Sequence, residues 1–111
     1  MIDISSQAAA IKFGESQKLR DIKLSQSEQI AAQLRERLRP VAGVEAAIFE
    51  DLGEIINVYI ETNNVRNATL YPVFGAQYDL ESEYAHKTFH FLVNPVDWEQ
   101  LQTLNRIQKL F

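Results

Sequence analysis

Two histidines and two groups of acids hold most of the chemistry that this chain of 111 residues can offer. His86 and His90 stand four apart, a spacing that would place two metal ligands on one face of a helix. They fall instead where Lys87 to Val93 alternates as a strand, and there positions four apart lie about 13 Å from each other. With no cysteine in the chain and no carboxylate at ligand spacing beside them, no metal site is expected. Glu50, Asp51 and Glu54 surround Leu52-Gly53 in a polar break. General acid–base catalysis needs carboxylates in a dry cleft where one pKa can rise, and a turn tip is wet. These three therefore read as a solvated loop, and Asp79, Glu81 and Glu83 as the outer surface of a helix.

Nucleophile and phosphate signatures are missing: there is no Gly-x-Ser-x-Gly, no P-loop lysine, no glycine-rich dinucleotide turn and no His-Glu-x-x-His. One constellation remains. On the strand Glu54 to Thr62, Ile56, Val58 and Ile60 share a core-like face, while Asn57, Tyr59 and Glu61 share the other. His90, on a neighbouring strand, can face the same way as Tyr59. Tyr59, Asn57, Glu61 and His90 are thus the candidate ligand or partner face, an aromatic and polar sheet surface of the kind that receives a protein partner or a second protomer. No catalytic residue, cofactor or metal is assigned.

The elements that must position this face are legible from periodicity. Ser25 and Glu28 fit a capping box, and Ile30, Leu34 and Leu38 then recur four apart beside Ala31, which predicts a helix over 26–39 ended by Pro40. Residues 43–62 read GVEAAIFEDLGEIINVYIET, two β-rich runs around a glycine where a tight turn needs positive φ. A second helix starts near Asn67 or Thr69, with Pro72 in its first turn and Leu70, Val73, Gln77, Leu80 and Tyr84 as a stripe. A third strand covers 87–93. A last helix carries Trp98, Leu101, Leu104 and Ile107 on one face. The expected fold is α+β in a single domain, in the order α-β-β-α-β-α. It has a small mixed three-stranded sheet, helices mainly on one face, and a parallel crossover through the second helix. Residues 1–24 form an N-terminal arm or helix, separate from the α+β domain of 25–111. Ile4, Ile11, Phe13, Leu19, Ile22 and Leu24 are more apolar surface than a free tail carries, so that segment is expected to dock on its own sheet or on a second copy.

Composition bounds the rest. Hydrophobic residues make up 46% and charged residues 23%, an ordinary globular balance. A net charge of -4 gives no general attraction to nucleic acid, and Arg35, Arg37 and Arg39 are too few to supply a large counterion-release term. No apolar run reaches the roughly 20 residues of a membrane span, and the start, with Asp3 and no basic stretch, does not read as a secretory signal. A soluble cytoplasmic protein without disulfides is expected.

The order of elements over residues 44–94 resembles the core of the nucleotidyltransferase fold, whose strands carry metal-binding acids. This chain has no Gly-Ser turn after its first strand, and Ile56-Asn57-Val58-Tyr59-Ile60 stands where paired aspartates would be expected. The resemblance therefore implies a catalytically inactive relative. Two readings of function follow. The first is a non-enzymatic interaction module that self-associates or binds a protein. The second is a small enzyme or nucleotide binder using a cleft that joins Tyr59, His90 and a carboxylate such as Glu61.

Overall fold

A computed structural model describes residues 26–111 of the chain. The expected arm or helix over 1–24, and Ser25 of the capping box, lie outside the described residues. The chain divides into the units Met1–Ile30 and Ala31–Phe111, and the whole sheet belongs to the second.

Helix α1 runs over residues 26–38, with Ala31, Leu34 and Leu38 buried at helical spacing. Pro40 cannot continue it, and Gly43 reverses the chain at φ +95°. Strands β1 (Val44–Asp51) and β2 (Ile55–Thr62) form the expected antiparallel hairpin. Its turn rests on Gly53 at φ +93°, whose amide donates to Asp51 Oδ1 at 2.8 Å. Helix α2 (Asn67–Glu83) follows. Its start is tied down by Asn64, whose Oδ1 accepts from the Arg66 amide at 3.0 Å and from the Thr69 hydroxyl at 2.9 Å. Pro72 lies in the second turn of α2 instead of the first, so one backbone acceptor of the helix lacks its usual donor.

Strand β3 (Thr88–Val93) returns parallel to β2, with Asn57 opposite His90 and Val58 opposite Phe91. Asn94 ends it in the left-handed region at φ 53°, and its side chain binds both the amide and the hydroxyl of Thr62.

The closing element differs from expectation. In place of a helix through Ile107, α3 covers only Trp98–Leu101, and Ile107–Lys109 forms a fourth strand, β4, antiparallel to β1. The spacing of Trp98, Leu101, Leu104 and Ile107 imitates a helical stripe. However, β1 has an edge whose amides and carbonyls need partners, and Gln108 pairs with Phe49 and Lys109 with Ile48. Ladder bonds and a burial site for Leu110 outweigh a weak local preference.

The fold is thus α+β, with a four-stranded mixed sheet in the order β3-β2-β1-β4. One face carries Ala47, Phe49, Ile56, Val58, Ile60, Phe89 and Phe91, all buried, under α1 and α2. The two helices are linked by Arg37 to Asp79 at 2.8 Å and by Gln33 to Glu83 and the Tyr84 hydroxyl. Because β3 and β4 occupy opposite edges, the chain between them must cross the second face.

Candidate functional site

That crossing decides what becomes of the polar residues on the second face. The strand register places Glu50 of β1 opposite Asn57 of β2, and Asn57 opposite His90 of β3. Glu50, expected at a wet turn, is only 3% exposed, because the segment after β3 passes over it on the way to β4. Its carboxylate accepts from Asn57 Nδ2 at 3.0 Å and from the Tyr59 hydroxyl at 3.3 Å, and it forms an ion pair with Arg106 just before β4. His90 Nδ1 lies 3.3 Å from Asn57 Oδ1. A row therefore runs His90–Asn57–Glu50–Arg106, with Tyr59 beside it.

Burial alone would raise the Glu50 pKa. The hydrogen bonds from Asn57 and Arg106, the Arg106 charge and the Tyr59 hydroxyl outweigh it and leave the group below its ordinary value. An ionised carboxylate has no proton to give, and at 3% exposure Glu50 offers almost no surface to a substrate. Burial, followed by the Glu50 charge and hydrogen bond and the Asp97 charge, holds the Tyr59 hydroxyl above its ordinary value, so Tyr59 stays a neutral donor. The chemistry of this row is structural: it fastens the crossing segment to the sheet.

Of the four candidate residues, Asn57 and Tyr59 are half-buried and committed to Glu50, Glu61 is half-buried further along β2, and His90 is exposed. The structure brings Asn57, Tyr59 and His90 together and adds Glu50 and Arg106, which sequence reasoning missed. Alternation along β1 could have flagged Glu50, since it must face the same way as Ile48, but Arg106 lies 56 residues away. Glu54 lies at the exposed turn, whereas Asp51 is the half-buried last residue of β1, paired with Ile56. An open groove lined by Ala32, Arg35, Glu36, Arg39 and Pro40 lies on α1 and its C-terminal turn, away from this row. Among the described residues no group of three His, Asp or Glu could hold a metal ion.

Arg35 and Arg37 of α1, and Arg39 just past its end, each have a partner within the chain. Arg35 Nε donates to the Leu110 carbonyl at 2.9 Å, Arg37 pairs with Asp79, and the Arg39 guanidinium sits 5.2 Å from the Phe111 ring centre.

Among the described residues no strand pairs with the outer side of β3, and the flank of α2 beside it exposes aromatic rings. The Thr88 amide donates to Glu54 and the Asn94 amide to Ile60. The alternation of a parallel ladder therefore turns the even-numbered residues of β3 toward β2 and the amides and carbonyls of Phe89, Phe91 and Val93 outward. The Phe89 carbonyl is met by Gln77 Nε2 at 2.7 Å, so this flank of α2 lies over that outer side. Next to Gln77 around the helix stand Tyr71, Phe74 and Tyr78, which are 72%, 44% and 70% exposed.

No family model, curated protein or solved structure matches the chain. Among the described residues no helix is long and apolar enough to cross a membrane.

Proposed function

We propose that this chain is a non-enzymatic protein-interaction module that self-associates. The observation that carries the reading is the exposed aromatic flank of α2 beside β3, the terminal strand of the sheet among the described residues. Proteins guard edge strands with charge, proline or a bulge, yet Thr88-Phe89-His90-Phe91-Leu92-Val93 contains no acid, no lysine or arginine and no proline. Beside it Tyr71, Phe74 and Tyr78 expose aromatic rings on one side of α2, the residue types enriched where proteins meet. His90, alone among the four candidate residues in being exposed, is on this strand.

The rival reading needs a cleft joining Tyr59, His90 and Glu61. The groove lined by Ala32 and Arg39 is elsewhere, and the one carboxylate of the row is buried against Asn57, Tyr59 and Arg106. The nucleotidyltransferase resemblance gains no support from the comparisons. A soluble, cytoplasmic setting accords with the lack of cysteine.

Size-exclusion chromatography with light scattering tests the proposal. The expected result is a mass above that of one chain, falling on dilution. A single-chain mass at every concentration would overturn it.

A further inference from the structure

Resting on that reading, we infer that two copies pack α2 against α2, antiparallel, about a two-fold axis that passes between Phe74 and Gly75. Gly75 is exposed in the middle of the helix, and its φ is not positive. Among the described residues nothing lies within 4 Å of a Cβ built there. Glycine in a helix interior is less favourable than alanine, and no contact within the described chain calls for it. What a missing Cβ does offer is close approach by a second backbone. The exposed rings of Tyr71, Phe74 and Tyr78 surround this notch. At about 100° per residue, Tyr71 and Tyr78 lie on the side of α2 opposite the buried Val73 and Leu80.

Charge identifies the occupant as a second copy. Helix α2 has no acid in its first turn and no base in its last, the reverse of what the helix dipole favours. Arg66 caps its start, while Asp79, Glu81 and Glu83 crowd its end. Asp79 pairs with Arg37 and Glu83 accepts from Gln33. Glu81 lies on the Phe74 side of the helix, as Arg66 does. An antiparallel copy therefore sets the Arg66 end of each helix within a turn of Glu81 on the other, twice over, whereas a parallel copy would set acids beside acids. The same axis brings Tyr71 of one helix level with Tyr78 of the other and Phe74 against its own counterpart. Gly75 meets Gly75, which lets the helices settle at the near end of the usual separation of about 8–10 Å. The exposed parts of the rings supply roughly 750 Å² of the ~1,000 Å² that a specific pair requires. The exposed Asn67, Gly75 and Ser82 extend the same stripe. An interface of this size pairs reversibly and comes apart on dilution.

Two sets of variants, each followed by sedimentation over a concentration series, test this pair. Gly75→Gln puts a good helix former where space is open within one copy and closed between two. It should raise the melting temperature of the dilute protein and yet weaken association by about ten-fold, as a misfit at the centre of a small interface does. General damage to the fold would lower both. Arg66→Glu sets acid against acid at both ends of the pair, and Glu81→Arg sets base against base. Each variant alone should associate roughly five-fold more weakly than the parent. An equimolar mixture of the two restores both charge pairs and should associate as tightly as the parent, at unchanged circular dichroism. If the parent associates but Gly75→Gln associates equally well, or the mixture does no better than its components, this interface is overturned and self-association stands. A single-chain mass for the parent at every concentration would overturn both.

Discussion

Glu50 is the residue on which the second face turns. Its pKa is lowered in the fold, so its ionised form stabilises the protein above the ordinary carboxylate range. That contribution is lost as pH falls through the ordinary value toward the lowered one. Glu50→Gln should cost about 1–3 kcal/mol at neutral pH, since Arg106 and the Tyr59 hydroxyl lose a charged acceptor. The cost should shrink in acid, where the native residue is itself protonated. Urea unfolding across pH for both proteins checks it; parallel pH profiles would show that Glu50 does not titrate with folding. The sequence hid this residue for a physical reason. Its neighbours Gly53 and Glu54 do lie at an exposed turn, and nothing local distinguishes the last buried residue of a strand from the first wet one. The distinction comes from Arg106, brought in by a segment whose path depends on the whole sheet.

Among the elements, those formed by local contacts were legible and those formed by distant ones were not. The hairpin, α1 from residue 26 and the parallel return through α2 followed from alternation, helical spacing and Pro40. Strand β4 did not, because three residues carry no pattern of their own and its partner β1 lies far back in the chain. Within α2 the buried side is Thr69, Val73, Ala76 and Leu80, and Phe74 and Tyr78 face outward. Among the described residues, Gly43 and Gly53 have positive φ and differ in what surrounds them. At Gly53 an added Cβ meets nothing, whereas at Gly43 it would come within 2.7 Å of both Asn64 Nδ2 and Thr69 Oγ1. Gly53→Ala should therefore cost about 1 kcal/mol for backbone strain alone. Gly43→Ala should cost clearly more, because it also displaces the Asn64 and Thr69 bonds that start α2. Thermal melts of the two variants side by side check this ordering, and equal losses would refute it. Gly75 is the opposite case: it has no positive φ, and its Cβ would enter open space. Gly75→Ala should add about 1 kcal/mol of helix stability, read as a higher melting temperature under dilute conditions.

At the scale of the whole molecule the sheet has two edges with different protection. Strand β4 covers β1 and brings the polar Gln108 and Lys109 to the rim, both exposed, as edge protection requires. Strand β3 itself has no acid, lysine, arginine or proline. The exposed aromatic flank of α2 beside it underlies the proposed self-association, and it predicts that the melting temperature rises with protein concentration, as mass action demands when only the folded state associates. Tyr78→Lys, which places a charge on that flank, should abolish that dependence while leaving the dilute melting temperature within a degree or two of the parent. A dependence that persists in this variant would direct attention away from α2.

The three residues of β4 also set the limit of growth. A particle with one adhesive side can only pair and stop, since each contact uses up the site that made it. A particle with two adhesive sides has no natural end. Gln108→Pro removes the donor that faces Phe49 and strips the seal from β1, and so converts a terminating unit into a repeating one. Sedimentation of that variant should show a broad ladder of sizes that lengthens with time, where the parent shows a single boundary. The same ladder should stain with a cross-β dye. If Gln108→Pro sedimented like its parent, β4 would be holding the core together without limiting assembly.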